Sequence, residues 1–193
     1  QTGVKRLVDI LISGTLLCLS LPLLLLSALA IKLDSKGPIF YSQERVGLYG
    51  RIFRIYKFRS MFVDAERSGA QWATKNDSRV TTIGKIIRKA RIDEIPQFIC
   101  VLKGEMSMVG PRPERPVFVD KFLAEIPLYG KRLCLKPGLT GWAQVRHHYD
   151  VSEESVQTKL KYDLYYFENM SPLLDLQILA RTIWVVVSGR GAL

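Results

Sequence analysis

The chain has 193 residues, with 28 lysines and arginines against 18 aspartates and glutamates, a formal charge of +10. That length fits one domain with a real core, or a small domain plus an appendage, and the charge asks for an anionic partner: a lipid surface, a phosphorylated substrate or nucleic acid. Cys18, Cys100 and Cys134 are far apart and form no C-x-x-C pair, which argues against a disulfide framework or a zinc site and fits a reducing compartment. Gln1 is no natural start, so the sequence reads as a segment of a longer protein.

Residues 10–31 carry no charge and are dominated by leucine. As a straight helix these 22 residues would reach roughly 33 Å, enough to cross a bilayer. A secretory signal would have a shorter apolar core and a small-residue cleavage site, which residues 32–38 do not offer. Pro22 sits mid-run, where it removes a backbone hydrogen bond and bends or breaks the helix. Both flanks are basic, with Lys5 and Arg6 before and Lys32, Lys36, Arg45 and Arg51 after. Cationic ends on opposite sides conflict with the positive-inside rule, and a segment that turns at Pro22 and returns to the same face removes the conflict. A kinked single pass and a buried soluble helix are the other readings.

Residues 38–45 and 51–61 are rich in Ile, Phe, Tyr and Val and flank a segment with two glycines, the pattern of a β-hairpin. Phe53, Ile55, Lys57 and Arg59 share one face of the second strand, so Lys57 and Arg59 are placed to reach one anion, or only to protect an edge. Residues 64–78 are polar and read as a mobile loop or a short helix. Residues 79–92 read as a basic amphipathic helix suited to a membrane surface. No nucleic-acid module signature appears, so no nucleic-acid partner is expected.

The run R-K-A-R-I-D-E-I-P-Q, residues 88–97, places Asp93 and Glu94 between cations and Pro96. Neighbouring cations lower a carboxyl pKa by roughly 1–3 units, so both acids are expected to be ionised, as nucleophile, metal ligand or mere helix cap. Pro96 is suited to start a helix over residues 95–102, which Lys103 and Gly104 would close. G-P-R-P fixes the backbone around Arg112, and with it the aim of a guanidinium able to grip phosphate bidentately. In P-G-L-T-G-W-A-Q-V, residues 137–145, the glycines permit positive φ or close approach. Tyr162, Tyr165, Tyr166 and Phe167 suit an interface or a core, and residues 173–188 an apolar surface or core helix. His147 and His148 have no matching ligand set.

Taken together, K-R-L-V-D from Lys5, Y-K-F-R-S-M from Tyr56, R-I-D-E-I-P-Q from Arg91, V-L-K-G-E-M-S-M-V-G-P-R-P from Val101, K-P-G-L-T-G-W-A-Q-V from Lys136 and K-Y-D-L-Y-Y from Lys161 resemble the bacterial sugar transferases. These are the monotopic polyprenyl-phosphate phosphoglycosyl transferases, here the catalytic part of a larger exopolysaccharide-pathway member. The resemblance implies a mostly helical α+β fold. Residues 1–36 would form a re-entrant membrane helix broken near Pro22 and anchored by Lys5 and Arg6, and residues 37–193 a catalytic domain on the cytoplasmic face of the bacterial inner membrane. It implies a UDP-sugar donor, an undecaprenyl phosphate acceptor, Mg²⁺ held by Asp93 and Glu94, and a covalent phosphosugar on Asp93 with release of UMP. Arg88 and Arg112 match phosphate-holding positions, and Lys57 and Arg59 are further candidates. A homodimer of the full-length protein is compatible with it. The rival classes are a UDP-releasing glycosyltransferase, for which no D-x-D motif is present, and an inactive scaffold. Leu21 separates Ser20 from Pro22, Cys100 stands where asparagine is usual and Glu105 where aspartate is commoner.

Overall fold

A computed structural model describes residues 3–67, 69, 71, 74, 77–146 and 153–188. The first element, α1 (Gly3–Asp34), is a single helical element of 32 residues with Pro22 inside it, where two helices separated by a break were expected. Its leucine content favours helix, and serine hydroxyls bond back to the preceding turn, Ser13 to the Asp9 carbonyl at 2.6 Å and Ser20 to that of Leu17 at 3.0 Å. Its buried residues fall in two groups, Asp9 and Ser13 near one end and Ser27 and Ile31 near the other. No residue from 14 to 26 is buried, and Leu19 and Leu25 are 73% and 72% exposed.

The two ends dock on one body. Arg6 donates to the Val101 and Leu102 carbonyls, closing the C-terminus of α3 (Phe98–Lys103), while Lys5 meets Tyr166 and Asp175. Asp9 Oδ1 accepts from the Ser107 hydroxyl at 3.0 Å and the Met108 backbone N–H at 2.9 Å. At the other end Asp34 accepts from the Ile83 N–H in α2 (Thr82–Lys89). Lys5 and Arg6 therefore bind the protein's own interior as well as marking a basic flank.

The hairpin forms as expected with shorter strands: β1 (Phe40–Val46) pairs antiparallel with β2 (Ile52–Phe58), from Val46 opposite Ile52 to Phe40 opposite Phe58. Helix α2 is shorter than residues 79–92, because the Thr81 hydroxyl caps its start and Arg91 turns left-handed after its end. β3 (Ser107–Val109) and β4 (Gly138–Thr140) make a short parallel pair. Here the glycines of residues 137–145 serve close approach: a Cβ on Gly138 would lie 2.1 Å from the Gly110 nitrogen.

The remaining helices are α4 (Pro116–Glu125), α5 (Trp142–Arg146), α6 (Glu153–Asn169) and α7 (Pro172–Val187), the last capped by Ser171. The main core joins Ile55, Cys100, Met106, Trp142, Tyr166 and Ile178. Tyr166 is buried there, whereas Tyr165 is half-exposed and stacks on Trp142 at 5.9 Å. The Cys100 thiol donates to the Arg54 carbonyl at 3.4 Å, so a weak donor stands at the position where asparagine is usual. Burial pushes that thiol up to about 11.

Candidate active site

The acid pair sits where α2 meets the interior. Arg91 adopts φ 59°, a left-handed conformation that residues other than glycine resist, and so redirects the chain into a 3₁₀ turn, Ile92–Gln97. Pro96 lies inside that turn and α3 starts only at Phe98, later than the expected 95. The tight turn buries Asp93 and brings Glu94 against β2.

The two neighbours are treated differently. Glu94 Oε1 accepts from Lys57 Nζ at 2.8 Å and from Arg112 Nη2 at 2.5 Å. Burial alone would raise its pKa, but these two cations outweigh it and hold the carboxyl well below its ordinary range. Asp93, only 8% exposed, accepts no hydrogen bond among the described residues. Burial first, and then the charge of Glu94, push it up to about 6, against the pull of Lys57, Arg88 and Arg112. The expectation that nearby cations depress both acids thus holds for Glu94 and is corrected for Asp93, whose desolvation outweighs those cations.

Arg112 is aimed by more than its prolines. Arg132 Nη2 donates to the Arg112 carbonyl at 2.7 Å, and Arg45 Nη1 to that of Pro113 at 3.0 Å. Arg132 is itself clamped: its Nε reaches Asp163 Oδ2 at 3.0 Å and its Nη1 the Tyr129 hydroxyl at 2.7 Å. No local pattern marks this Arg132–Asp163 pair, whose members are 31 positions apart.

A cleft of about 440 Å³ opens over these groups, lined by ten arginines and lysines and five carboxylates. Lys57, Arg88 and Arg112 all face it beside the acid pair. Arg59 also lines it, yet its guanidinium is occupied at the C-terminus of α1, donating to the Ser35 and Lys36 carbonyls at 2.7 and 3.1 Å. That places Arg59 in a capping position, fixing α1 to β2. Pro22 is remote in the chain from every cleft-lining residue. His147 and His148 fall outside the described residues.

The carboxylates suit a cation that brings its own ligands. Among the described residues no cluster of three or more His, Cys, Asp or Glu exists, so no all-protein cage is formed. Mg²⁺ typically uses one or two carboxylates and completes its shell with water and substrate phosphate. Glu94 Oε2 and the unbonded Asp93 oxygens meet that requirement, since Lys57 and Arg112 both bond to Glu94 Oε1.

The arrangement is a buried, unbonded carboxylate inside a cationic cleft, chemistry that suits an anionic ligand. The chain belongs to the bacterial sugar transferase family, whose family model matches residues 1–189. It is 50% identical over 189 residues to a UDP-N-acetylgalactosamine-undecaprenyl-phosphate N-acetylgalactosaminephosphotransferase of Aeromonas hydrophila, covering 98% of this chain and 45% of that protein. It is 43% identical over 181 residues to a UDP-glucose:undecaprenyl-phosphate glucose-1-phosphate transferase of Caulobacter vibrioides, covering 93% and 68%. It is also 38% identical to the sugar transferase EpsL of Bacillus subtilis, covering 97% and 89%. The chain thus spans less than half the length of the Aeromonas relative.

Proposed function

We propose that the chain transfers a phosphosugar from a UDP-sugar to undecaprenyl phosphate through a covalent intermediate on Asp93, releasing UMP and initiating exopolysaccharide or related glycan assembly. The observation that carries this reading is the contrast within the acid pair: Glu94 is tied to two cations and Asp93 to none. Above pH 6 Asp93 is mainly carboxylate, and its raised basicity makes it a better nucleophile than an ordinary aspartate. An Asp93 oxygen attacks the sugar-bearing phosphorus. The new O–P bond forms as the bond to the bridging oxygen breaks, and UMP leaves with that electron pair. A phosphate oxygen of undecaprenyl phosphate then attacks the same phosphorus, breaking the acyl phosphate and restoring Asp93.

Lys57, Arg88 and Arg112 offset the charge on the transferring group, most of what such catalysis requires. Glu94 holds Lys57 and Arg112 in place. Bound Mg²⁺, held by Asp93 and Glu94, would add charge neutralisation on the diphosphate. For the membrane, we place α1 as a re-entrant segment bent at Pro22 at the cytoplasmic face of the bacterial inner membrane. Its unburied middle and its two ends docked on one body support that path.

The test is nucleotide release from membrane-reconstituted protein with undecaprenyl phosphate, Mg²⁺ and a panel of UDP-sugars headed by UDP-N-acetylgalactosamine and UDP-glucose, the donors in the relatives' names. UMP release with one donor, abolished in Asp93→Asn, is expected. UDP release, or UMP release that survives Asp93→Asn, overturns the covalent mechanism.

A further inference from the structure

The cleft has two kinds of apolar lining. Phe118, Phe122 and Leu160 belong to a core cluster shared by α4 and α6. Phe40, Phe62 and Val63 line the same cleft as Asp93 while remaining 53%, 49% and 69% exposed. We infer that this second, exposed strip is the seat of the acceptor's isoprenoid chain, with the Phe40, Phe62 and Val63 side chains flanking the isoprenes nearest the phosphate. The inference rests on the transferase reading above and adds the direction from which the lipid substrate reaches Asp93.

Three features argue for that occupant. The strip is continuous with the apolar helix: a Cβ on Gly37 would lie 2.7 Å from Val63 Cγ2, and α1 ends three residues before Gly37 with Leu33 80% exposed. It is also preformed. Phe40 stacks on Phe58 at 5.2 Å, Phe58 packs with Ile31 of α1, and the Phe62 N–H is fixed to the Arg79 carbonyl at 2.9 Å. Finally, Lys57 and Arg88 line the same cleft beside Asp93, so an amphiphile with an anionic head and an apolar tail finds each half matched. A chain that stays in lipid while its phosphate reaches a buried carboxylate needs an apolar route along the membrane helix.

The experiment uses the full chain in nanodiscs and a polyprenyl phosphate carrying a diazirine on its first isoprene units. Expected are saturable adducts on peptides containing Phe40, Phe62 or Val63, displaced by unmodified undecaprenyl phosphate and not by added phosphatidylglycerol. Adducts on α4 or α6, adducts displaced equally by the phospholipid, or no saturable adduct overturn the inference. A second measurement compares acceptors. In Phe62→Ser and in Val63→Ser the kcat/KM preference for undecaprenyl over dimethylallyl phosphate should fall about tenfold, as loss of apolar contact with the longer chain requires. An unchanged preference counts against the strip. Exchange of labelled UMP into the UDP-sugar needs no acceptor: if the unaltered chain fails to catalyse it, the transferase reading itself is lost, and if it succeeds while adducts fall elsewhere, only the acceptor route is.

Discussion

Two buried aspartates face the same cleft, and their surroundings are opposites. Asp163 is directly paired, with the fork of Arg132 on one oxygen and the Tyr129 hydroxyl holding the arginine's Nη1. Asp93 is also buried, but its carboxylate accepts no hydrogen bond among the described residues. Burial raises the pKa of both. The difference lies in what opposes that burial: at Asp163 a directly bonded guanidinium, at Asp93 only cations acting from a distance. A buried carboxylate with full hydrogen bonding is a fastener, and one left unbonded among cations is kept reactive.

The largest expected effect comes from breaking the fastener. Arg132→Met leaves Asp163 buried without its cation and should cost on the order of 3–5 kcal/mol of stability. Arg132→Met with Asp163→Leu should recover most of that loss, as read by denaturation of the nanodisc-held protein. Next in size, Asp93→Asn should stabilise the protein while ending transfer. An aspartate raised from 3.8 to about 6 by folding carries an unfavourable charge above that pH, worth at most about 3 kcal/mol. The gain should be full above pH 6 and vanish below the unfolded value of 3.8, where both states bind the proton; no gain at pH 8 would contradict the assignment.

The smallest effect is the most specific. Removing the negative neighbour in Glu94→Gln should move the acid limb of UMP release from about pH 6 to lower pH, because Glu94 is one of the charges that raise Asp93. Lys57→Met should move that limb the other way, since it removes a cation that favours the ionised form. Unmoved limbs in both variants would mean that a group other than Asp93 sets the profile.

What could be read in the sequence was what is local. Asp93 and Glu94 announced themselves by adjacency, Arg112 by its flanking prolines, the hairpin by β-branched and aromatic runs, and Lys57 by its place on a strand face. Each needs only a few neighbouring residues to be recognised. Arg59 shared the face of Lys57, yet its guanidinium turns to the end of α1, because the helix C-terminus offers carbonyls that no strand pattern reveals. Asp9 ends the string K-R-L-V-D with no local pattern to give it a role, and is a buried acceptor for residues nearly a hundred positions away. The raised pKa of Asp93 was hidden for the same reason: the flanking cations that argue for a low value are local in sequence, whereas desolvation comes from the assembled cleft.

The docking of α1 bears on how such a chain comes to be made. Without residues 1–36, the Met108 N–H and Ser107 hydroxyl lose Asp9, the end of α3 loses Arg6, and Arg59 faces no carbonyls. The helix is therefore a structural wedge in the catalytic body and not a detachable tether, so a soluble version made by trimming it off would lack part of its own interior. Within this chain residues 1–36 are made before the residues they contact, so the body around Asp93 closes on a helix that is already in place, and assembly of the cleft depends on where that helix has settled.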